Sequence, residues 1–139
     1  MIIKNILTGE DIRQEVGNKL SLMGILGSSL NVNIPQTAPK NAEVSVPLAF
    51  LITIENTDPA NDPKNFNVLI SLSVGGNKLV DMTARIESKG YDRIINLPVP
   101  KIEFRFRENT SVNVCAEIMK ESVSVSKSST VLDVQVNRT

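Results

Sequence analysis

A chain of 139 residues with 41% hydrophobic side chains has the length of one domain, and can bury about two-thirds of its unfolded surface without disulfide staples. Fifteen basic side chains balance fifteen acidic ones, so no net field steers it toward nucleic acid or an anionic membrane. Histidine is absent and Cys115 is the single cysteine, which excludes Ser-His-Asp and Cys-His triads, ordinary zinc sites and an internal disulfide.

From the N-terminus, Met1 to Leu7 has no charged lead-in followed by an apolar run of secretory length, and Gly9-Glu10-Asp11 ends the apolar stretch. No window approaches 18 uninterrupted apolar residues. The expectation is a cytoplasmic protein that does not insert in a membrane, although signal-independent export leaves no trace in a sequence. Next, Gly17-Asn18 supplies two residues tolerant of positive φ between Arg13-Gln14-Glu15-Val16 and Lys19-Leu20-Ser21-Leu22. That pattern predicts a hairpin with a two-residue primed turn.

Residues 34–44, with Pro35, Pro39, Lys40 and Asn41, and residues 55–65, rich in Asn, Asp and Pro, read as loops without room for a helix. Between them, residues 46–54 are apolar on both faces, as in a strand central to its sheet, with Pro47 tolerated at its start. Residues 66–74 alternate apolar and polar, turn at Gly75-Gly76-Asn77, and return through 78–86 with Val80, Met82, Ala84 and Ile86 inward. In 101–107, Ile102, Phe104 and Phe106 face one way and Lys101, Glu103, Arg105 and Arg107 the other. Residues 111–119 place Val112, Val114, Ala116 and Ile118 opposite Asn113, Cys115 and Glu117, so Cys115 reads as a small half-buried strand residue with no flanking cation to activate it. Two more alternating segments, 122–126 and 130–136, end in an edge-capable strand. Many short strands without a capped helical stripe predict an all-β fold, a single antiparallel β-sandwich over residues 1–139, with a small closed barrel as the alternative.

The segment Arg13 to Gly24, R-Q-E-V-G-N-K-L-S-L-M-G, resembles the opening of an uncharacterised bacterial family of small β-sandwich domains in which R-x-E-x-x-G-K-L-S-L-x-G recurs. The resemblance extends to Glu10-Asp11-Ile12, the strand and turn around Val68 to Leu79, and Ile94-Ile95-Asn96-Leu97-Pro98-Val99-Pro100. It implies an Ig-like or C2-like sandwich of unknown activity. Glu108-Asn109-Thr110 and Met119-Lys120-Glu121 stand where that family has a Gly-Tyr lead and an Asp-Gly turn.

Among candidate sites, Arg13 and Glu15 project to one face with Asp11, as a recognition patch or as an ion-pair ladder with Lys19. Asp58 and Asp62, with Glu55 and Asn56, Asn61 and Asn65, put hard oxygen ligands in one loop, a weak calcium signal since Asx and Pro are also what any turn uses. The alternation of Ser and Val through Val125, followed by Lys127, describes an edge left open for another chain, with Lys127 as its guard. Arg105 and Arg107 beside Glu103 lack the aromatic and basic partners of a nucleic-acid platform. The composition therefore favours a non-enzymatic interaction or structural module that binds a protein partner or itself through a sheet edge. A calcium-dependent module using 55–65 comes second, and a hydrolase working with carboxylates alone a distant third, for want of aromatic platforms.

Overall fold

A computed structural model describes residues 1–17, 19–88 and 92–139. The strands, in chain order, are β1 (Ile2–Gly9), β2 (Asp11–Glu15), β3 (Lys19–Met23), β4 (Ser29–Ile34), β5 (Val44–Glu55), β6 (Asn65–Val74), β7 (Asn77–Glu87), β8 (Ile94–Phe106), β9 (Thr110–Lys120) and β10 (Val123–Arg138). The described residues contain no helix. A three-stranded sheet of order β1-β5-β8 packs on a five-stranded sheet of order β4-β10-β9-β6-β7, and β2-β3 forms a separate hairpin. The molecule is a β-sandwich, and neither sheet closes into a barrel.

The core is what the alternation predicts. Leu48, Phe50, Ile52 and Ile54 of β5 face Val68, Ile70 and Leu72 of β6, Val112, Val114, Ala116 and Ile118 of β9, and Leu132 and Val134 of β10, all buried. Phe104 lies edge-on to Phe50 at 6.4 Å between ring centroids and stacks on Phe106 at 6.2 Å. With no Trp in the chain, these three rings and the buried Phe66 are the large fillers of an otherwise aliphatic interior.

β5 is central, and it is covered on both faces. The hairpin β2-β3 packs against β5 and β8, which accounts for the full burial of Ala49 on the face of β5 opposite Leu48 and Phe50. The chain enters that hairpin at Gly9, where an added Cβ would stand 2.7 Å from Leu22 Cδ1 and 2.8 Å from the Met23 carbonyl oxygen. Glu10 N–H donates to the same carbonyl at 2.8 Å, and Leu26 N–H donates to the Thr8 carbonyl at 2.8 Å. Only a residue without a side chain fits at this corner.

Several local expectations give way. In β2-β3 the last opposed pair is Glu15 with Lys19, so Val16 belongs to the loop and is 94% exposed. The connection is therefore longer than a two-residue turn; Gly17 has φ 79° as expected, and Asn18 lies outside the described residues. The second hairpin does close in two residues, Gly75 and Gly76, both at positive φ. The two C-terminal segments are one strand, β10, with a β-bulge at Val125 between Ser124 and Ser126. The sandwich is also not wholly antiparallel, because β4 pairs with the end of β10 in parallel, from Ser29 opposite Asp133 to Ile34 opposite Arg138. Arg138 then ties down the following loop, its guanidinium donating to the carbonyls of Ala38, Pro39 and Lys40.

Candidate functional site

Three places gather polar chemistry, and their geometry separates them. The first is the loop after β5. Asp58 starts it: its carbonyl accepts the N–H groups of Asn61 and Asp62 at 3.0 and 2.7 Å, and its Oδ2 accepts Asn61 Nδ2 at 2.8 Å. Asp62 closes it, with Oδ2 accepting the Asp58 N–H and Oδ1 accepting the Met1 ammonium, each at 2.9 Å. The Met1 ammonium also donates to Thr57 Oγ1. Both predicted metal ligands are thus engaged in the turn's own hydrogen bonds. Among the described residues no three of His, Cys, Asp or Glu come together to hold a metal ion.

Partial burial pulls the Asp62 carboxyl upward, but the N–H of Asp58, the adjacent Met1 ammonium and the Thr57 N–H outweigh it and hold the group below its ordinary 3.8. A carboxyl depressed on folding stabilises the native state above its unfolded value, and that stabilisation is lost as pH falls through the folded value. Thermal melts from pH 6 down to about pH 2 are expected to show the wild type losing stability below about pH 4 more steeply than Asp62→Asn, the two curves converging in acid. Parallel curves would remove Asp62 from the acid response.

Beside this loop, Asn56 is 5% exposed. Its N–H donates to the Arg93 carbonyl at 2.9 Å and its Nδ2 to the Asp92 carbonyl, which pins the start of β8 to the end of β5. Its Oδ1 is buried without a hydrogen-bond partner among the described residues. The sequence offers no sign of this role, since one more Asn in an Asn-rich loop is indistinguishable from its neighbours.

The second place is the outer face of the five-stranded sheet. A shallow depression of about 470 Å³ lies over β6, β7, β9 and β10, lined by Leu69, Ser71, Asp81, Thr83, Glu117 and Lys127 among others. Cys115 sits in it, half-buried and opposite Ser71 and Ser129. Lys127 stands directly across from Glu117. On the hairpin, Arg13 lies 3.9 Å from Asp11 on its own strand, and Glu15 is opposed to Lys19. Arg13, Glu15 and Lys127 are thereby solvated charges with opposite charges at hand, and such exposed pairs contribute about 0–1 kcal/mol each.

The third place is the set of sheet edges. β10, expected to offer one, is interior only where it meets β4, from Asp133 onward; from Val123 to Leu132 its one ladder partner is β9. Along 123–132 the flank away from β9 lacks β4, but β1 approaches there, with Ile3 N–H donating to Ser126 Oγ at 3.2 Å. Val125 is the extra residue of a bulge, which disrupts a ladder rather than extending one. The other edges carry guards. β8 holds Pro98 and Pro100, and its register slips against Ala49. β1 has a bulge between Ile3 and Asn5, and β4 and the hairpin strands β2 and β3 are short. β7 differs. It pairs with β6 alone, contains no proline, and keeps regular register from Val80 to Glu87. Its inward residues Val80, Met82, Ala84 and Ile86 are only half-buried, because the three-stranded sheet leaves them incompletely covered.

No family model matches the chain, and no curated protein matches it. Among solved structures it is similar to the CooA pilin subunit from enterotoxigenic Escherichia coli, with a TM-score of 0.31 and 11% identity over 96% of this chain and 99% of that one. None of the described residues lies in a helix long and apolar enough to cross a membrane.

Proposed function

We propose that the domain is a non-enzymatic protein-interaction module that recognises its partner by pairing with a sheet edge, and that the edge is β7. The observation that carries this reading is the regular, proline-free strand with one hydrogen-bonded neighbour and a half-covered apolar row along its inner face. Such a strand offers unpaired backbone donors and acceptors for affinity and alternate side chains for specificity. The composition agrees, since a chain without histidine and with one half-buried cysteine lacks the usual nucleophile–base pairs.

A pull-down from native lysate tests it with two matched variants. Met82→Lys puts a charge on the inner row of β7, the device by which natural sheets protect an edge; Val125→Lys places the same charge at the β10 bulge. Protein captured by the wild type is expected to be retained by Val125→Lys and lost by Met82→Lys, both variants showing unaltered circular dichroism. Capture lost on Val125→Lys and retained on Met82→Lys would overturn the assignment to β7.

A further inference from the structure

The residues of β7 say more than that the edge is open; they are arranged to fit a copy of themselves. The inner row, Val80, Met82, Ala84 and Ile86, lies opposite Leu72, Ile70, Val68 and Phe66 of β6. The outer row, Asp81, Thr83 and Arg85, lies opposite Ser71, Leu69 and Asn67. When two identical strands pair antiparallel about an axis perpendicular to the sheet, opposed residues must share a face, so the axis passes through a residue. Each choice of residue gives one pairing. An axis on Thr83 opposes Asp81 to Arg85 and Val80 to Ile86, each twice, with Met82 against Ala84 and Thr83 against itself. An axis on Ala84 sets Asp81 against Glu87, and one on Asp81 sets that carboxylate against its own copy, both like-charge pairs that destabilise a ladder. An axis on Met82 sets Asp81 against Thr83 and leaves no carboxylate opposite Arg85.

We propose that a second copy of this chain docks antiparallel on β7 about a two-fold axis through Thr83, joining the two five-stranded sheets into one. The proposal rests on the interaction reading above and names its partner. Charge complementarity commits it to this occupant: the register that matches the apolar row also places a carboxylate opposite a guanidinium on both sides of the axis. Both groups are available. Asp81 is 60% exposed and bound at 3.1 Å to Lys78, an exposed pair that exchanges at little cost, and Arg85 makes no ion pair among the described residues. The bulge at Leu79, where Leu72 faces Val80 but Ser73 faces Lys78, ends the intermolecular ladder before the Gly75-Gly76 turn. The inner rows of the two copies then complete each other's cover, which is the burial the monomer leaves undone at Val80, Met82 and Ile86.

Sedimentation across a concentration series tests the dimer, and a charge swap tests its register. Wild type is expected to dimerise; Asp81→Arg and Arg85→Asp are each expected to weaken the dimer by roughly 10- to 100-fold, since each replaces two attractive pairs by two repulsive ones. The double variant Asp81→Arg/Arg85→Asp is expected to restore it, an outcome that a simple folding defect does not produce. In a Cys115→Ser background, Thr83→Cys is expected to cross-link to its own copy on mild oxidation, because opposed Cβ atoms in a ladder stand about 4.5–5.5 Å apart, near disulfide reach. A wild type that stays monomeric at high concentration overturns the proposal. So does a dimer indifferent to both reversals and without the residue-83 cross-link. A monomer whose lysate partner is lost on Met82→Lys overturns the dimer alone and leaves the interaction module standing.

Discussion

Phe104→Ala is expected to be the most damaging single truncation in the chain. Phe104 is 2% exposed, packed edge-on against Phe50 and face-on against Phe106, and so joins β5 and β8 within the three-stranded sheet. Removing the ring takes away its transfer free energy, its aromatic contacts and the support of two neighbouring rings. The deletion is expected to cost about 3–5 kcal/mol, a large share of the roughly 5–15 kcal/mol that holds a domain of this kind together. Urea unfolding is the measurement, with the midpoint displaced and the slope retained. The matched control is Val131→Ala, on the outer row of β10 and 49% exposed, for which a change within about 0.5 kcal/mol is expected. A loss below about 1 kcal/mol for Phe104→Ala would mean that the three rings do not form the centre of this core.

The second large effect comes from a much smaller change. Gly9→Ala adds one methyl group, but at a point where the nearest atoms are Leu22 Cδ1 at 2.7 Å and a backbone oxygen, that of Met23, at 2.8 Å. The leucine can rotate. The carbonyl cannot, because the Glu10 N–H holds it. Overpacking against backbone is expected to cost about 1–3 kcal/mol, and to act by prising β2-β3 from the outer face of β5. Limited proteolysis reports that loosening directly, since cleavage in the 15–19 loop should quicken more than global unfolding does. Leu22→Ala in the Gly9→Ala background is expected to recover part of the loss and leave the part due to the carbonyl. Full recovery would assign the whole clash to the leucine.

These two sites differ in how they show in the sequence. Phe104 is visible without a structure, because Ile102, Phe104 and Phe106 alternate with four charged residues and burial follows from parity. Gly9 is not visible. A glycine before Glu10-Asp11 looks like the end of a strand, and nothing local reveals that Leu22 and Met23 will be folded against it.

The same division runs through the whole molecule. Period-two alternation identified β6, β7, β9 and the second half of β8, and the doubly apolar run identified β5 as a central strand, because side-chain parity is a local property of an extended chain. Turn chemistry placed the Gly75-Gly76 hairpin, where both residues need positive φ, and misjudged the first, where the strand stops at Glu15. Asx chemistry makes Asp58 and Asp62 turn formers, but that the Met1 ammonium takes up the second oxygen of Asp62 beside the Asp58 N–H depends on a contact across sixty-one residues. Edges were the least legible feature. Alternation states which way a side chain points and never which strand lies beside it, so the sequence points to the C-terminal segment as an edge and gives no sign that β7 is one. Tertiary structure decided between them: β4 returns in parallel along the end of β10, β1 approaches its beginning, and β7 is left with β6 alone. The alternation of β7 by itself determined which of its residues share a face, and long-range packing determined that β6 is its one hydrogen-bonded neighbour.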